Sequence, residues 1–319
     1  MRFSIILLLS FTLAACNQSH KTTLPQIGFV DAFEDATIAQ AKTGFVTALA
    51  KNSFIDGKNI NIVYKNAQGS IPTLGQILDY FVSENVTLLA TSTTLATLTA
   101  VQKTKTIPIF MMVAPTPKLM KIEDEKGKIP LNLFGVDEDL NYIDTSFSII
   151  PSLIKPKSGK LRIGMVYNQA ESQSVEALAR INALAAKYNA VIVAAPVNTS
   201  ADAQLVTQFL LSQNLDCFFA NPDNTVFASF ETILKNCNQK NIPIFTSEAG
   251  LVKRGALAAF GADMYQWGYQ AGVQAAMFLK SGQTQNLKPE MVKVRKRVYN
   301  PTAAKKYGLT FPKNFEPVK

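Results

Sequence analysis

The chain has 319 residues, of which 47% are hydrophobic and 17% are charged, and its formal net charge is +9. This apolar fraction excludes an intrinsically disordered protein, and the length predicts about two domains. A nucleic-acid partner is not indicated, because the cations are scattered apart from one cluster at residues 293–297. A single histidine, His20, excludes a zinc site with several histidine ligands, and we predict neither a metal nor a cofactor.

The N-terminus is predicted to be an export signal. Arg2 precedes an apolar run that ends in small residues, as in secretory signal peptides, and this run is too short to span a bilayer. Leu13-Ala14-Ala15-Cys16 is similar to a bacterial lipobox, whose cysteine is lipidated and becomes the mature N-terminus. We therefore expect a signal peptide at 1–15, a tether at 16–24, and an exported protein. Its lipid at Cys16 would hold it on a bacterial membrane, facing the periplasm or the cell exterior.

From residue 26 onward, short apolar runs alternate with segments whose apolar residues recur every three or four positions, as do Ile38, Ala41 and Phe45. This alternation predicts βαβ units and a parallel sheet with helices on both faces. In the first half we predict strands at 26–31, 61–64, 86–90 and 107–112, with helices at 35–52, 71–84 and 93–103.

The pattern repeats after a loop at residues 115–130. Ile107-Pro108-Ile109-Phe110 and Ile242-Pro243-Ile244-Phe245 stand at equivalent places in the two halves. The predicted fold class is therefore α/β, with two doubly wound parallel-sheet lobes that face each other across a cleft. In the second half we predict helices at 141–154, 171–189, 201–213 and 224–240, with strands at 162–167, 190–194, 216–220, 242–246 and 256–260.

Polar residues at the strand ends are the candidate ligand-binding residues, because ligands of such lobes bind beyond the carboxyl ends of the strands. Hydroxyls and free backbone N–H groups at the helix start after the third strand can hold a carboxylate. Acids of the second lobe can hold an ammonium group, and Asp223 is the best candidate. Helix capping alone also explains any one of these residues, but together they favour a zwitterion such as an amino acid. The full set, which adds the apolar Phe33 in the loop after the first strand as a packing contact, is Asp31, Phe33, Ser92, Thr93, Thr94, Asn168, Glu171, Ser172, Asp223, Asn224, Ser247, Glu248 and Asp263.

Several motifs resemble one family, the bacterial ABC-transporter substrate-binding lipoproteins of the tryptophan/tyrosine type. The motifs are Asp56-Gly57-Lys58-Asn59-Ile60, Tyr64-Lys65-Asn66-Ala67-Gln68-Gly69, Asp223-Asn224-Thr225-Val226 and Val252-Lys253-Arg254-Gly255-Ala256. The resemblance covers nearly the whole mature chain. It implies a type I periplasmic-binding fold, with a hinge in which the chain crosses between the lobes three times. Lobe 1 would comprise 25–138 plus about 262–282, and lobe 2 would comprise 139–261 plus about 283–319.

The first lobe departs from the family's pattern. The family opens its first helix with His-Pro, where this chain has Asp35 and Ala36, and it has an Asp where this chain has Ala39. After the fourth strand the family has Thr-Asp-Pro, whereas Ala114-Pro115-Thr116-Pro117 has no acid. We therefore expect the first-lobe half of the pocket to differ from that of the family.

The resemblance implies an extracytoplasmic solute-binding lipoprotein that captures a small ligand between its lobes and delivers it to ABC permease and ATPase subunits. An amino acid is expected, with an aromatic side chain favoured. One alternative is a ligand sensor for a membrane receptor. Another is an α/β enzyme that uses Glu171 or Asp223, although the chain has none of the common nucleotide-binding or hydrolase motifs, so we predict no catalytic residues.

Cys217 and Cys237 are predicted to fall at the same end of a strand–helix unit. Export makes a disulfide between them possible. Two buried thiols also fit, because free cysteine packs well in cores, and the sequence leaves both states open.

Overall fold

The computed structural model describes residues 24–157 and 159–319. The predicted signal peptide, Cys16 and residues 17–23 of the predicted tether lie outside the described residues. The described chain forms two α/β lobes, each built on one central sheet with helices on both faces. The predicted fold class is confirmed.

Both lobes have the same strand order. The strands are β1 (Gln26–Asp31), β2 (Asn61–Asn66), β3 (Leu88–Ser92), β4 (Ile109–Pro115), β5 (Leu133–Glu138), β6 (Leu161–Tyr167), β7 (Ala190–Pro196), β8 (Cys217–Ala220), β9 (Ile244–Thr246), β10 (Ala258–Ala262), β11 (Glu290–Met291), β12 (Arg295–Tyr299) and β13 (Glu316–Pro317). The first sheet runs β11-β5-β4-β3-β1-β2 and the second runs β13-β12-β10-β9-β8-β6-β7. Each contains five parallel strands in the doubly wound order 2-1-3-4-5, whose switch point lies between the first and third strands of the lobe.

The helices cover both faces of each sheet. They are α1 (Ala39–Lys51), α2 (Ile71–Ser83), α3 (Thr94–Lys103), α4 (Tyr142–Leu153), α5 (Ser172–Lys187), α6 (Ala203–Leu211), α7 (Asn224–Ala228), α8 (Phe230–Gln239), α9 (Ala249–Lys253), α10 (Met264–Ser281) and α11 (Pro301–Tyr307). A typical case is α2, which begins after the capping Ser70 and buries Leu74, Leu78 and Phe81 at helical spacing. Within the two described ranges, no helix combines the length and the apolar character needed to cross a membrane.

Helix α10 belongs to the first lobe, where it packs closely on α1. A Cβ atom on Gly44 would lie 1.9 Å from the Tyr265 carbonyl oxygen, and one on Gly268 would lie 1.8 Å from the Ala41 carbonyl oxygen. Any side chain at these two glycines would therefore push the helices apart. This close approach fixes the start of α10 beside the cleft.

The chain passes between the lobes three times, after β5, after β10 and between β11 and β12. Arg295, the first residue of β12, donates from Nε and Nη2 to the Glu138 carboxylate at 3.0 and 2.5 Å. Lys296 forms an ion pair with Asp263, which lies between β10 and α10. The third crossing is therefore tied to the other two by charge pairs.

The structure corrects several predicted boundaries. Residues 133–138, to which we assigned no element, form strand β5. Residues 290–291 pair with β5, so the chain leaves the first lobe later than the expected residue 283. The helix predicted at 224–240 is two helices, α7 and α8, interrupted at Ser229. In addition, β12 pairs antiparallel with β10, so the second sheet is not wholly parallel.

Cys217 and Cys237 are both free and buried, so the disulfide is not formed. Successive residues of a strand point to opposite faces. Cys217 accordingly packs in the core that contains Phe147, whereas Cys237 packs in the core that contains Phe218 on the other face of β8. The sheet separates the two thiols, which is why sharing one end of the unit does not bring them together.

Candidate functional site

The carboxyl ends of the two sheets face each other across the cleft, and its deepest part is a small cavity of about 40 Å³. This volume is below the ~300–1,000 Å³ typical of small-molecule sites, so an amino acid can enter only when lining side chains or the lobes shift. Both lobes and the crossings between them contribute to this inner cavity. Its lining residues are Thr94, Val113, Ala114, Pro115, Glu138, Leu140, Tyr142, Gln173, Pro222, Asp223, Asn224, Phe227, Glu248, Met264 and Trp267.

Asp223 caps helix α7 and is bonded within its own lobe. Its Oδ1 accepts a hydrogen bond from Val226 N at 3.0 Å, and its Oδ2 accepts from Ser174 Oγ at 2.5 Å and Asn168 N at 2.6 Å. Burial raises the pKa of this carboxyl, while the Ser174 and backbone donors lower it. Three donors of the second lobe thus already occupy Asp223, which gives it the geometry of a structural cap.

Glu171 lies beside Asp223 and is bonded to the same loops. Its Oε2 accepts from Asn224 N at 3.1 Å, from Asn224 Nδ2 at 2.7 Å and from Gln173 Nε2 at 2.5 Å. Burial, and secondly the charge of Asp223, raise the pKa of Glu171 to about 8. These hydrogen bonds hold the loop before α7 against the start of α5.

Glu248, which follows β9, brings a carboxyl oxygen without a partner to the cavity. The Tyr142 hydroxyl donates to Oε1 at 3.2 Å, whereas Oε2 is buried and accepts no hydrogen bond from the described residues. Burial raises the pKa of Glu248 well above its usual value; the Tyr142 hydrogen bond lowers it, and the charge of Glu138 raises it.

On the first-lobe side, the wall is largely backbone in unusual conformations. Thr93, just before α3, has φ 84°, and Val113, in the bulge of β4, has φ 53°. Positive φ is rare for β-branched residues, and such strain clusters at functional sites. No side chain caps the first turn of α3, so its backbone N–H groups are left for a ligand beside Thr94.

The outer part of the cleft is larger and more polar than the inner cavity. It has a volume of about 520 Å³ and is lined by Phe33, Glu34, Gln68, Gly69, Ile71 and Leu95 of the first lobe and by Asn168, Ala170, Glu171, Asn198, Thr199, Ser200, Thr225 and Ala228 of the second. We call this region the outer cleft. A ligand would pass through it to reach the inner cavity.

The lobes also touch directly, through Arg254. This guanidinium is held in the second lobe, where it donates to both Glu231 carboxylate oxygens at 2.8 Å and to the Phe227 carbonyl at 3.0 Å. Its Nη1 reaches the first lobe and donates to Asp35 Oδ2 at 2.6 Å and to Thr37 Oγ1 at 3.1 Å. We call this contact the interlobe bridge. It exists only while the lobes are close together.

Eleven of the thirteen predicted ligand-binding residues fall into three groups, and Ser172 and Asp263 lie outside them. Thr94, Asp223, Asn224 and Glu248 line the inner cavity, and Phe33, Asn168 and Glu171 line the outer cleft. Asp31, Ser92, Thr93 and Ser247 are buried behind these surfaces. Ser172 begins α5 outside both linings. Asp263 is directed to the hinge, because it caps α10 through Gln266 N and pairs with Lys296.

Sequence reasoning missed most of the apolar lining and the hinge residues. Tyr142 and Leu140 lie where the chain leaves the first lobe, and Met264 and Trp267 lie where it returns. Trp267 is the only tryptophan of the chain, and its indole N–H donates to the Val136 carbonyl at 2.8 Å. The only indication of these residues in the sequence was their position beside the crossings, where both lobes can contact a ligand.

The family model described as "ABC transporter substrate binding protein" matches residues 26–316. A curated relative, the tyrosine-binding protein of Clostridioides difficile, is 32% identical over 269 residues, which is 83% of this chain and 76% of that protein.

Solved structures agree with this assignment. A conserved domain protein from Vibrio cholerae O1 biovar eltor has a TM-score of 0.82 and 28% identity, over 93% of this chain and 100% of that chain. An ABC domain from Streptococcus pneumonia in complex with L-Trp also has a TM-score of 0.82, with 21% identity over 91% of this chain and 97% of that chain; it shows the shared fold. The chain belongs to the ABC transporter substrate-binding proteins, which work outside the cytoplasm and capture a small solute for a transporter.

Proposed function

We propose that the inner cavity binds an amino acid with an aromatic side chain, and that the protein delivers this ligand to an ABC permease without altering it. The observation that carries the proposal is the composition of the cavity wall. Tyr142, Phe227, Met264 and Trp267 make the wall mainly apolar, and each lobe adds polar groups to it. Aromatic rings gain both from burial and from contact with other rings.

The polar groups of the two lobes fit the two charged groups of an amino acid. The uncapped start of α3 offers backbone N–H groups for a carboxylate, beside Thr94, which lines the cavity. The acids of the second lobe offer acceptors for an ammonium group. The names of the relatives support this choice, because one is a tyrosine-binding protein and another was crystallised with L-Trp.

Calorimetric titration with L-tyrosine, L-tryptophan and L-phenylalanine tests the ligand class, with ribose as a solute that lacks both charges. One of the aromatic amino acids should bind with one-to-one stoichiometry. Phe227→Leu should weaken binding by about twofold to tenfold, because an aromatic contact contributes ~0.5–1.5 kcal/mol. Phe209→Leu, on an exposed surface of the same lobe, is the matched control and should change nothing. Binding of ribose but of no amino acid would refute the proposal.

Recovery of the ligand separates a binding protein from an enzyme on the same scaffold. After long incubation with excess protein, the amino acid should be recovered chemically unchanged, and its amount should match the amount added. Conversion of the ligand into a product would favour the enzymatic alternative. Co-purification with a permease, rather than with a membrane receptor, supports delivery over sensing.

Membrane attachment through Cys16 is part of the same proposal. The residue ends a short apolar signal in a lipobox-like sequence, and a lipid there would hold the protein at the membrane. Cys16→Ser should move the protein from the membrane fraction to the soluble extracytoplasmic fraction, whereas His20→Asn in the adjacent tether should not. A Cys16→Ser protein that stays membrane-bound would refute the lipid attachment.

A further inference from the structure

The inner cavity is lined by acidic groups without any positive side chain. Its lining contains three carboxyls, those of Glu138, Asp223 and Glu248, and none of the lining residues in the described part of the chain is Lys, Arg or His. Carboxyl groups around an apolar space offer no partner for a ligand carboxylate and disfavour a purely acidic ligand. They favour a ligand that brings a positive charge of its own.

Hydrogen-bond partners distinguish the three carboxyls. Glu138 is paired with Arg295 of the third crossing. Asp223 accepts from three donors of its own lobe. Glu248 accepts only from Tyr142, at Oε1, and its Oε2 has no partner among the described residues. Glu248 is therefore the lining carboxyl with a free oxygen.

A second free acceptor lies in the same wall. Gln173 is 6% exposed and donates from Nε2 to Glu171 Oε2 at 2.5 Å. Its amide oxygen, Oε1, therefore faces away from Glu171. Its Oε1 is buried and has no partner in the described chain, although Gln173 lines the inner cavity. Buried acceptors without partners are costly, so two of them in one cavity wall point to a donor that arrives with the ligand.

We propose that Glu248 Oε2 and Gln173 Oε1 together form the subsite for the ligand's ammonium group. This inference rests on the proposed function and deepens it, since it replaces Asp223 as the expected partner of the amine. An ammonium group has three donors and one charge, which suits one charged and one neutral acceptor. The subsite selects ligands in which a protonated amine is joined to an apolar body, and it rejects the same body without the amine.

The test uses the full-length mature protein and three sets of probes. The sets are the aromatic amino acids, the amines that lack the carboxylate (tyramine and tryptamine), and the acids that lack the amine (3-(4-hydroxyphenyl)propionate and indole-3-propionate). Wild-type protein should bind an amino acid at least about 30-fold more tightly than the matching acid, as expected when a desolvated charge pair is lost. This comparison needs no variant and so does not depend on refolding.

Variants then test whether Glu248 and Gln173 form this subsite. Glu248→Gln should weaken amino acid binding about 30-fold or more and should weaken binding of the acids far less, because they have no amine to lose. Gln173→Met, which removes the acceptor but keeps the side-chain length, should weaken binding about tenfold. Glu176→Gln, on an exposed position of α5, is the matched control and should leave the affinity unchanged.

The outcomes separate this proposal from the proposed function. Amino acid binding that survives in folded Glu248→Gln protein overturns the subsite and leaves the function standing. Binding of the amines but not of the amino acids supports the subsite and overturns the amino acid assignment. Binding of the acids alone, or of no probe, overturns both.

Discussion

In the second lobe, the wall of the inner cavity consists of side chains that bond to one another, whereas in the first lobe it consists largely of backbone. Asp223, Glu171 and Asn168 form one network with the loops after β6 and β8. The first lobe instead presents the start of α3 and the strained residues Thr93 and Val113. The comparison teaches that the second lobe depends on particular side chains, while the first lobe depends on the conformation of its loops.

The largest effect should come from removing the centre of the second-lobe network. Asp223→Ala would leave Val226 N and the Ser174 hydroxyl without their acceptor, and buried donors cost ~1–3 kcal/mol each when unpaired. We expect the free energy of unfolding to fall by about 3 kcal/mol or more, measured by denaturant titration. Asp202→Ala, which removes an exposed capping acid of the same lobe, is the control and should cost ~1 kcal/mol or less. An equally stable Asp223→Ala protein would show that the network is not structural.

The next largest effect should be on the pH dependence of ligand affinity, which we expect to arise from Glu248 in the second-lobe wall. Burial raises the pKa of Glu248 in the empty cavity, and Glu138 and Tyr142 are the ionisable groups that face it. A bound ammonium would lower this pKa again, so binding releases a proton, and affinity should rise with pH up to the raised pKa that Glu248 has without ligand. The rise is at most tenfold per pH unit for one proton.

Calorimetry in two buffers of different ionisation enthalpy measures the released proton. On binding its ligand, Glu248→Gln protein should release fewer protons than the wild type, and its affinity should change less with pH. The remaining slope would report Glu138, whose pKa burial raises to about 7 while Arg295 lowers it. An unchanged proton release in Glu248→Gln protein would contradict the role of Glu248.

A smaller effect is expected at the interlobe bridge. Asp35→Asn keeps an oxygen that can accept from Thr37 N and Ile38 N, as Oδ1 does now, but removes the charge that faces Arg254. The closed state should lose about 1 kcal/mol, which weakens ligand binding roughly fivefold, mainly through faster dissociation. Asp79→Asn, which breaks the exposed pair with Lys103 in the same lobe, is the matched control. Equal dissociation rates in stopped-flow measurements would contradict a role in closure.

The smallest effect should follow a side-chain truncation in the first-lobe wall. Thr94→Ala removes a hydroxyl but keeps the backbone N–H groups that start α3. We expect less than about a threefold loss of affinity, measured by titration beside Thr99→Ala in the middle of the same helix. A loss comparable to that of Glu248→Gln would show that the first lobe also recognises its ligand through side chains.

The architecture could be predicted because a doubly wound lobe repeats its pattern along the chain. The repeat of Ile107-Pro108-Ile109-Phe110 at residues 242–245 reflects equivalent strands of two lobes with one strand order. Strand β5 was missed because it follows a proline-containing loop and precedes a crossing instead of a regular βα unit.

The site was predicted less well, because an acid at a strand end caps a helix and binds a ligand with the same sequence signature. Asp223 and Asp263 both cap helices. They differ from Glu248 only in the number of hydrogen-bond and ion-pair partners that their carboxylates have. The bridge between Asp35 and Arg254 joins residues 219 positions apart, a relation that no local pattern contains. Asp35 stood out only as a departure from the family's first helix.

The central claim, that the inner cavity captures an aromatic amino acid, is tested most directly by native mass spectrometry. The mature protein would be incubated with an equimolar mixture of the twenty amino acids and transferred to the gas phase under non-denaturing conditions. The account predicts one bound molecule per chain, with the mass of tyrosine, tryptophan or phenylalanine. Protein that retains no amino acid from the mixture, while carrying a co-purified solute without an amine, would contradict the account.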